Sequence, residues 1–155
     1  MTTIATLRLR ELTTAESLAL LVSQNVGRIA FGLHDRVDIE PINYISDGEW
    51  IFGRTSKGTK LATLLHHPWC AFEVDGVRGL FDWSSVVVKG TFYLLDPEIG
   101  SPDTYRRAEQ LLHVLGRLQA RRARWPRGNC GAQAVQHPES DHARRVLLLV
   151  SAASA

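Results

Sequence analysis

The sequence predicts a mainly β protein, an antiparallel sheet of about six strands closed on itself with about three helices packed outside. Three observations carry that prediction. Alternating apolar runs recur at 26–33, 37–46, 50–54, 69–74 and 84–95, with a uniformly apolar run at 146–150. Helical spacing of leucines occurs in only three stretches. Consecutive strands are joined as hairpins with helices inserted between them, which argues for an antiparallel sheet closed on itself.

Taken in order, Thr13-Thr14-Ala15-Glu16 has the spacing of a capping box, and Leu18, Leu21 and Val22 follow at helical spacing, so a helix is expected over 14–24. Strand one carries Ile29, Phe31 and Leu33 on one face, and His34-Asp35-Arg36 ends it. Strand two runs to Ser46, where Asp47-Gly48 suits a two-residue hairpin turn into Trp50-Ile51-Phe52. Pro41 lacks a backbone donor, so strand two must lie at an edge or bulge there, or face something other than a strand. A short helix starts near Thr59 and stops at His66-His67 because of Pro68. Two further strands, 69–74 and 84–95, are expected to flank a loop over 75–83. The longest helix, 103–124, aligns Leu111, Leu112, Leu115 and Leu118 on one face and arginines on the other. Residues 125–142 read as a loop before the final strand, about 144–151.

A chain of 155 residues, 45% apolar and 22% charged, fits one domain with its own core. Cys70 and Cys130 form neither a metal motif nor a disulfide framework, which points to a reducing cytoplasm. Residues 1–12 lack the apolar core of a signal peptide, and no run approaches the roughly eighteen apolar residues of a membrane span. Net charge is only +2, although residues 103–127 hold seven arginines against Asp103 and Glu109. That basic helix is read as a solvated face, since it lacks interleaved aromatics apart from Trp125; no nucleic acid is expected as a partner.

The stretch Arg54-Thr55-Ser56-Lys57-Gly58-Thr59-Lys60 has the composition of an anion site. A strand turning through Gly58 into a helix aims unpaired N–H groups at one point, where the helix dipole favours negative charge. Arg54 offers a planar fork there, while Lys57 and Lys60 act as mobile point charges. A solvated polar turn is the alternative reading of the same seven residues. Their order is not that of a nucleotide P-loop.

With these residues in place, the sequence resembles the FMN-binding split barrels related to pyridoxamine 5′-phosphate oxidase, in particular small relatives that include nitroimidazole-resistance proteins. The likeness covers roughly 13–95 and rests on motifs in order: Val26-Gly27-Arg28-Ile29-Ala30-Phe31, Glu40-Pro41-Ile42-Asn43-Tyr44, the anion stretch, the run 67–74 and the run 83–90. The resemblance implies a six-stranded split barrel, core about 26–95, forming a homodimer with FMN sites at the interface. It implies phosphate contacts from Arg54, Thr55, Ser56, Gly58, Thr59 and Lys60, and a flavin ring lined by Pro41, Ile42 and Asn43. Ser84 and Ser85 stand where the oxidase has a longer Arg-Gln pair, and Trp83 is read either as core or, the reading preferred, as a wall of the site covering the flavin from the second subunit. Deazaflavin or haem are the alternative cofactors.

His66 and His67 do not share a helix face and have no third ligand nearby, so no metal site is expected. His137 and His142 lack metal spacing, and His113 reads as a packed or boundary histidine. Glu73, Asp75 and Asp82 read as solvated rim, and catalytic residues stay unassigned. The implied activity is an oxidoreductase passing hydride between FMN and a small organic substrate. The alternatives are a non-catalytic flavin-binding or sensing module, and a nucleic-acid-binding protein using the basic helix.

Overall fold

A computed structural model describes residues 9–96, 98, 101–122 and 145–150. In chain order the elements are α1 Thr14–Ser23, β1 Val26–Leu33, β2 Arg36–Ser46, β3 Trp50–Thr55, α2 Thr59–His66, β4 Trp69–Gly79, β5 Asp82–Leu95, α3 Pro102–Arg122 and β6 Arg145–Val150. The strands close into an antiparallel barrel in the order β1-β2-β3-β6-β5-β4. The predicted loop 125–142 and Cys130 lie outside the described residues, as do His137 and His142.

Alternation sorts the side chains into two environments. Ile29, Phe31, Ile42, Tyr44, Ile51, Phe72, Val74 and Phe92 point inward and form the barrel core. Two helices push leucines into that core, Leu21 from α1 and Leu61 and Leu64 from α2. A second cluster forms outside the barrel, where Phe52 meets Ala108, Leu112 and Leu115 of α3. This is why β3 is buried on both faces.

The capping box of α1 is present: Thr13 Oγ1 accepts from Glu16 N at 3.2 Å, and the Glu16 carboxylate accepts from Thr13 N at 2.8 Å. α1 is tied to the barrel by Tyr44, whose hydroxyl donates to the Leu21 carbonyl at 2.8 Å. The Tyr44 ring meets Phe72 edge-on at 4.7 Å, and burial pushes its phenol pKa up.

Three local expectations need correction. The two-residue turn lies between β1 and β2, where Leu33 pairs with Arg36 and His34 takes φ 56. At 47–49 the connection is longer, because the Asp47 carboxylate accepts from both Glu49 N (3.0 Å) and Trp50 N (2.8 Å) and makes its own turn. Gly48 supplies the positive φ of 94. The predicted loop 75–83 is a solvent-exposed continuation of β4 and β5 as far as Gly79 paired with Asp82. A ribbon without a buried face leaves no amphipathic alternation to read; Arg78 and Asp82 pin it at 2.7 Å. Finally, His113, expected to be packed or at the boundary, is exposed, since it lies one residue round the helix from buried Leu112.

Candidate functional site

The barrel is not laddered evenly. β4 and β5 pair from Trp69↔Thr91 to Gly79↔Asp82, whereas β2 and β3 pair only at Tyr44↔Gly53, Ile45↔Phe52 and Ser46↔Ile51. Beyond Tyr44 and Gly53 the two strands diverge. The edge of β2 over 36–43 that faces away from β1 therefore has no partner strand among the described residues. Pro41 falls on that edge, where its missing donor costs nothing.

Continuing the register past the last pair sets Pro41, Ile42 and Asn43 on one lip of this split and Arg54, Thr55 and Ser56 on the other. Pro41 and Asn43 are exposed, while Ile42 is buried and turned into the core. Gly53 allows the lips to meet at their root: a Cβ there would stand 2.7 Å from Ile42 Cδ1 and 3.3 Å from the Asn43 carbonyl oxygen.

α2 follows the β3 lip directly and reaches β2 through one ion pair. Its N-cap, Gly58, is extended and gives no side-chain cap, and no acidic residue stands in the first turn. The first turn instead carries Lys60, whose side chain is only 13% exposed and whose Nζ lies 2.9 Å from Glu40 Oε2 on β2. That ion pair joins the helix start to the residue preceding Pro41. Lys60 is thus a pinned cation, not the mobile charge expected from the sequence. Ser56, Lys57, Gly58 and Thr59 are exposed around it.

Arg54 is placed differently from its neighbours. Strand alternation gives it the face of Phe52 and Trp50, toward α3, and gives Thr55 the opposite face. Its Nε is buried and has no hydrogen-bond partner among the described residues. Its charge reaches Tyr105, whose phenol pKa is raised by burial first and by Glu109, with Arg54 acting against that rise.

Trp83, Ser84 and Ser85 are not brought to the split. In the sheet order β2-β1-β4-β5, the level of Pro41 passes through Arg28 and Glu73 to Val87. Three strand spacings separate the two groups, about 14 Å along the sheet. Ser85 donates to Glu73 Oε1 at 3.0 Å on the outer face, whereas Ser84 faces the other way; Trp83 is 49% exposed. Glu73 and Asp75 both grip Arg28 at 2.9 Å, which raises its pKa, and Asp82 pairs with Arg78. The acids read as solvated rim are thus ion-paired on the outer sheet.

Other reactive groups are occupied. Cys70 is buried and its thiol pushed up to about 11, with Sγ donating to the Gly90 carbonyl at 3.6 Å, so it is no nucleophile at neutral pH. A ring nitrogen of His66 meets the Ala62 carbonyl at 2.9 Å, and the His67 ring meets His34 edge-on. Among the described residues there is no group of His, Cys, Asp or Glu arranged to hold a metal, and no helix long and apolar enough to cross a membrane.

Two residues of the site went unread in the sequence, Glu40 and Gly53. Glu40 did carry a signal: it shares an inward period-2 face with Ile42 and Tyr44, and an acid on an apolar face calls for a cation.

Residues 13–124 match the model of a protein family described as pyridoxamine 5′-phosphate oxidase. No curated protein matches the chain. Among solved structures, it is similar to an FAD-binding protein from Mesorhizobium loti, 18% identical with a TM-score of 0.67 and 90% of each chain covered. The FAD-binding protein of Mycobacterium smegmatis is 20% identical, TM-score 0.57, over 91% of this chain and 90% of that one. A candidate 5-nitroimidazole antibiotic resistance protein from Bacteroides thetaiotaomicron is 12% identical, TM-score 0.55, over 86% of this chain and 76% of that one. At such identities the likeness is one of fold.

Proposed function

This chain belongs to the pyridoxamine 5′-phosphate oxidase family, and from that premise we propose that it is a flavoprotein that binds FMN in the β2–β3 split and acts as an oxidoreductase on a small organic molecule. The observation that carries the reading is the split itself: an unladdered strand edge meets an uncapped, cation-bearing helix start, joined by the 2.9 Å contact between Glu40 and Lys60. The residues present fit the group. Open N–H donors, hydroxyls and cations at α2 suit a phosphate, and an edge bearing Pro41 and Asn43 suits a planar ring.

When bound, the flavin supplies the redox chemistry itself. The chain's own residues bind and orient it. Thr55, Ser56, Thr59 and Lys60 serve the phosphate end, and Pro41 and Asn43 serve the ring. Arg54, starting from the α3 side with an unsatisfied Nε, reaches the phosphate only by curling round the strand end.

The reading includes a second copy of the chain. Trp83 and Ser85 lie three strands from Pro41 in one chain, so they join the site only if a neighbour presents them. The outer face of β1, β2, β4 and β5 supports this, since it exposes Val26, Val37, Ile39, Trp69, Val77 and Val87. Arg28, Glu73 and Asp75 form a polar centre within it.

The test is a spectrum of the purified protein, mass spectrometry of what denaturation releases, and titrations with FMN and riboflavin. FMN binding tighter than riboflavin, a fall of roughly ten- to hundredfold on Lys60→Ala, and a dimer by light scattering are expected. Equal affinity for the two flavins removes the phosphate assignment. A monomer that binds FMN with undiminished affinity removes the second copy from the site.

A further inference from the structure

The helix start that is to receive a phosphate is already partly answered by an anion of the chain itself. A lysine in the first turn opposes the helix dipole, and here neither an acidic residue in that turn nor a side-chain cap offsets it. The compensating charge comes from Glu40, one strand away, at 2.9 Å from the Lys60 ammonium. Only 13% of the Lys60 side chain is exposed, so removing the Glu40 charge does not hand the ammonium over to solvent. What Glu40 contributes is charge, and its own side chain, 43% exposed, remains at the mouth of the split.

Resting on the flavin reading above, we infer that Glu40 is a specificity-determining residue of the phosphate subsite, a carboxylate that competes with the ligand's phosphate for Lys60. A dianionic phosphate arriving at α2 must share the ammonium with a fixed negative charge within a few ångströms. The ammonium has three protons and can serve both, so Glu40 weakens phosphate binding without abolishing it. FMN is then held less tightly than the cation count of the turn suggests. Pro41 and Asn43, assigned to the ring, lie on the opposite face of β2 from Glu40, so the charge acts on the phosphate end.

The experiment compares FMN and riboflavin dissociation constants, by flavin fluorescence, in the wild type, Glu40→Gln, Lys60→Ala and the double variant. Gln keeps the length and an acceptor oxygen while removing the charge. FMN is expected to bind roughly three- to tenfold more tightly in Glu40→Gln, with riboflavin unchanged and the gain lost in the Lys60→Ala background. Glu40→Ala carries the same expectation and serves if the Gln variant does not fold. Unchanged or weaker FMN binding in the charge-free variants overturns the inference, as does an equal shift for both flavins, which marks a structural role. A gain that persists undiminished without Lys60 overturns the competition for the ammonium. Failure of the flavin reading is visible separately, in a wild type that binds neither flavin or does not prefer FMN.

Discussion

Two seams of one barrel are built from similar strands and end differently. The β4–β5 seam is paired along its length and runs past the barrel as an exposed ribbon, while the β2–β3 seam is paired at three positions and then parts. Both strands at the open seam are long enough to continue. What stops them is backbone chemistry: Pro41 on β2 has no donor to extend the ladder, and beyond Thr55 the chain turns into α2, whose Lys60 pairs with Glu40. An open ladder leaves polar backbone that must be satisfied by something other than a strand, and that need marks the site.

The sharpest way to break the comparison is to damage the closed side and ask whether the open side notices. Phe72 on β4 is fully buried in the barrel core. Phe72→Ala is expected to cost about 3–5 kcal/mol of stability by denaturant unfolding. Because the Phe72 ring meets Tyr44 at the root of the open seam, ligand affinity measured well below the midpoint stays within about twofold of wild type only if that contact is not transmitted to the split. A tenfold loss of affinity would show the split to be tensioned by the whole core.

At the root of the open seam the effect is smaller and more local. A Cβ at Gly53 would lie 2.7 Å from Ile42 Cδ1, the far end of a flexible side chain, and 3.3 Å from the Asn43 carbonyl oxygen. Gly53→Ala is expected to cost about 1–3 kcal/mol and to spread the lips, changing flavin affinity in step. A stability loss with unchanged affinity would separate the root from the site.

How much of this was legible follows from where each feature stores its signal. Strand phase and the capping box are local, so the core face of β1 and β2 and the start of α1 were readable from spacing alone. Pro41 announced an edge because a missing donor is a property of one residue. The pairing of Glu40 with Lys60 joins positions twenty residues apart, and nothing local to either names its partner. The separation of Ser85 from Pro41 depends on the order of strands in the sheet, which hairpin reading does not supply for β4 beside β1. The ribbon 75–83 was lost because exposed strands need no alternation.

Tyr44 stands at the last pair before the seam opens, and its hydroxyl donates to the Leu21 carbonyl inside the protein. Tyr44→Phe removes that bond and leaves a buried carbonyl short of a donor, for an expected loss of about 1–2 kcal/mol. Hydrogen exchange should locate the loss in α1 and at the Tyr44 end of β2 more than in β4 and β5. Uniform loss of protection would mean that α1 braces the barrel as a whole.

The smallest effect lies at the other end of the same helix and is read through pH. The Arg10 guanidinium, with the Thr13 backbone and hydroxyl donors, holds the Glu16 carboxyl down at about 2, from an ordinary value of 4.5. A carboxylate whose pKa is lower folded than unfolded contributes stability that is fully present above its unfolded value and lost as pH falls through the folded one. The contribution of Glu16 is therefore whole above about pH 4.5 and fades toward pH 2. Arg10 and Glu16 are both well exposed, so salt screens their attraction while the capping hydrogen bonds to Thr13 persist. Wild type and Glu16→Gln should differ in α1 protection at neutral pH and converge toward pH 2, with a smaller gap at high salt. Because α1 carries the Leu21 carbonyl that holds Tyr44, the same acid range should loosen the root of the split before it touches the β4–β5 seam. If both seams lose protection together as pH falls, the open seam has no separate anchor, and its division from the rest of the barrel is one of pairing alone.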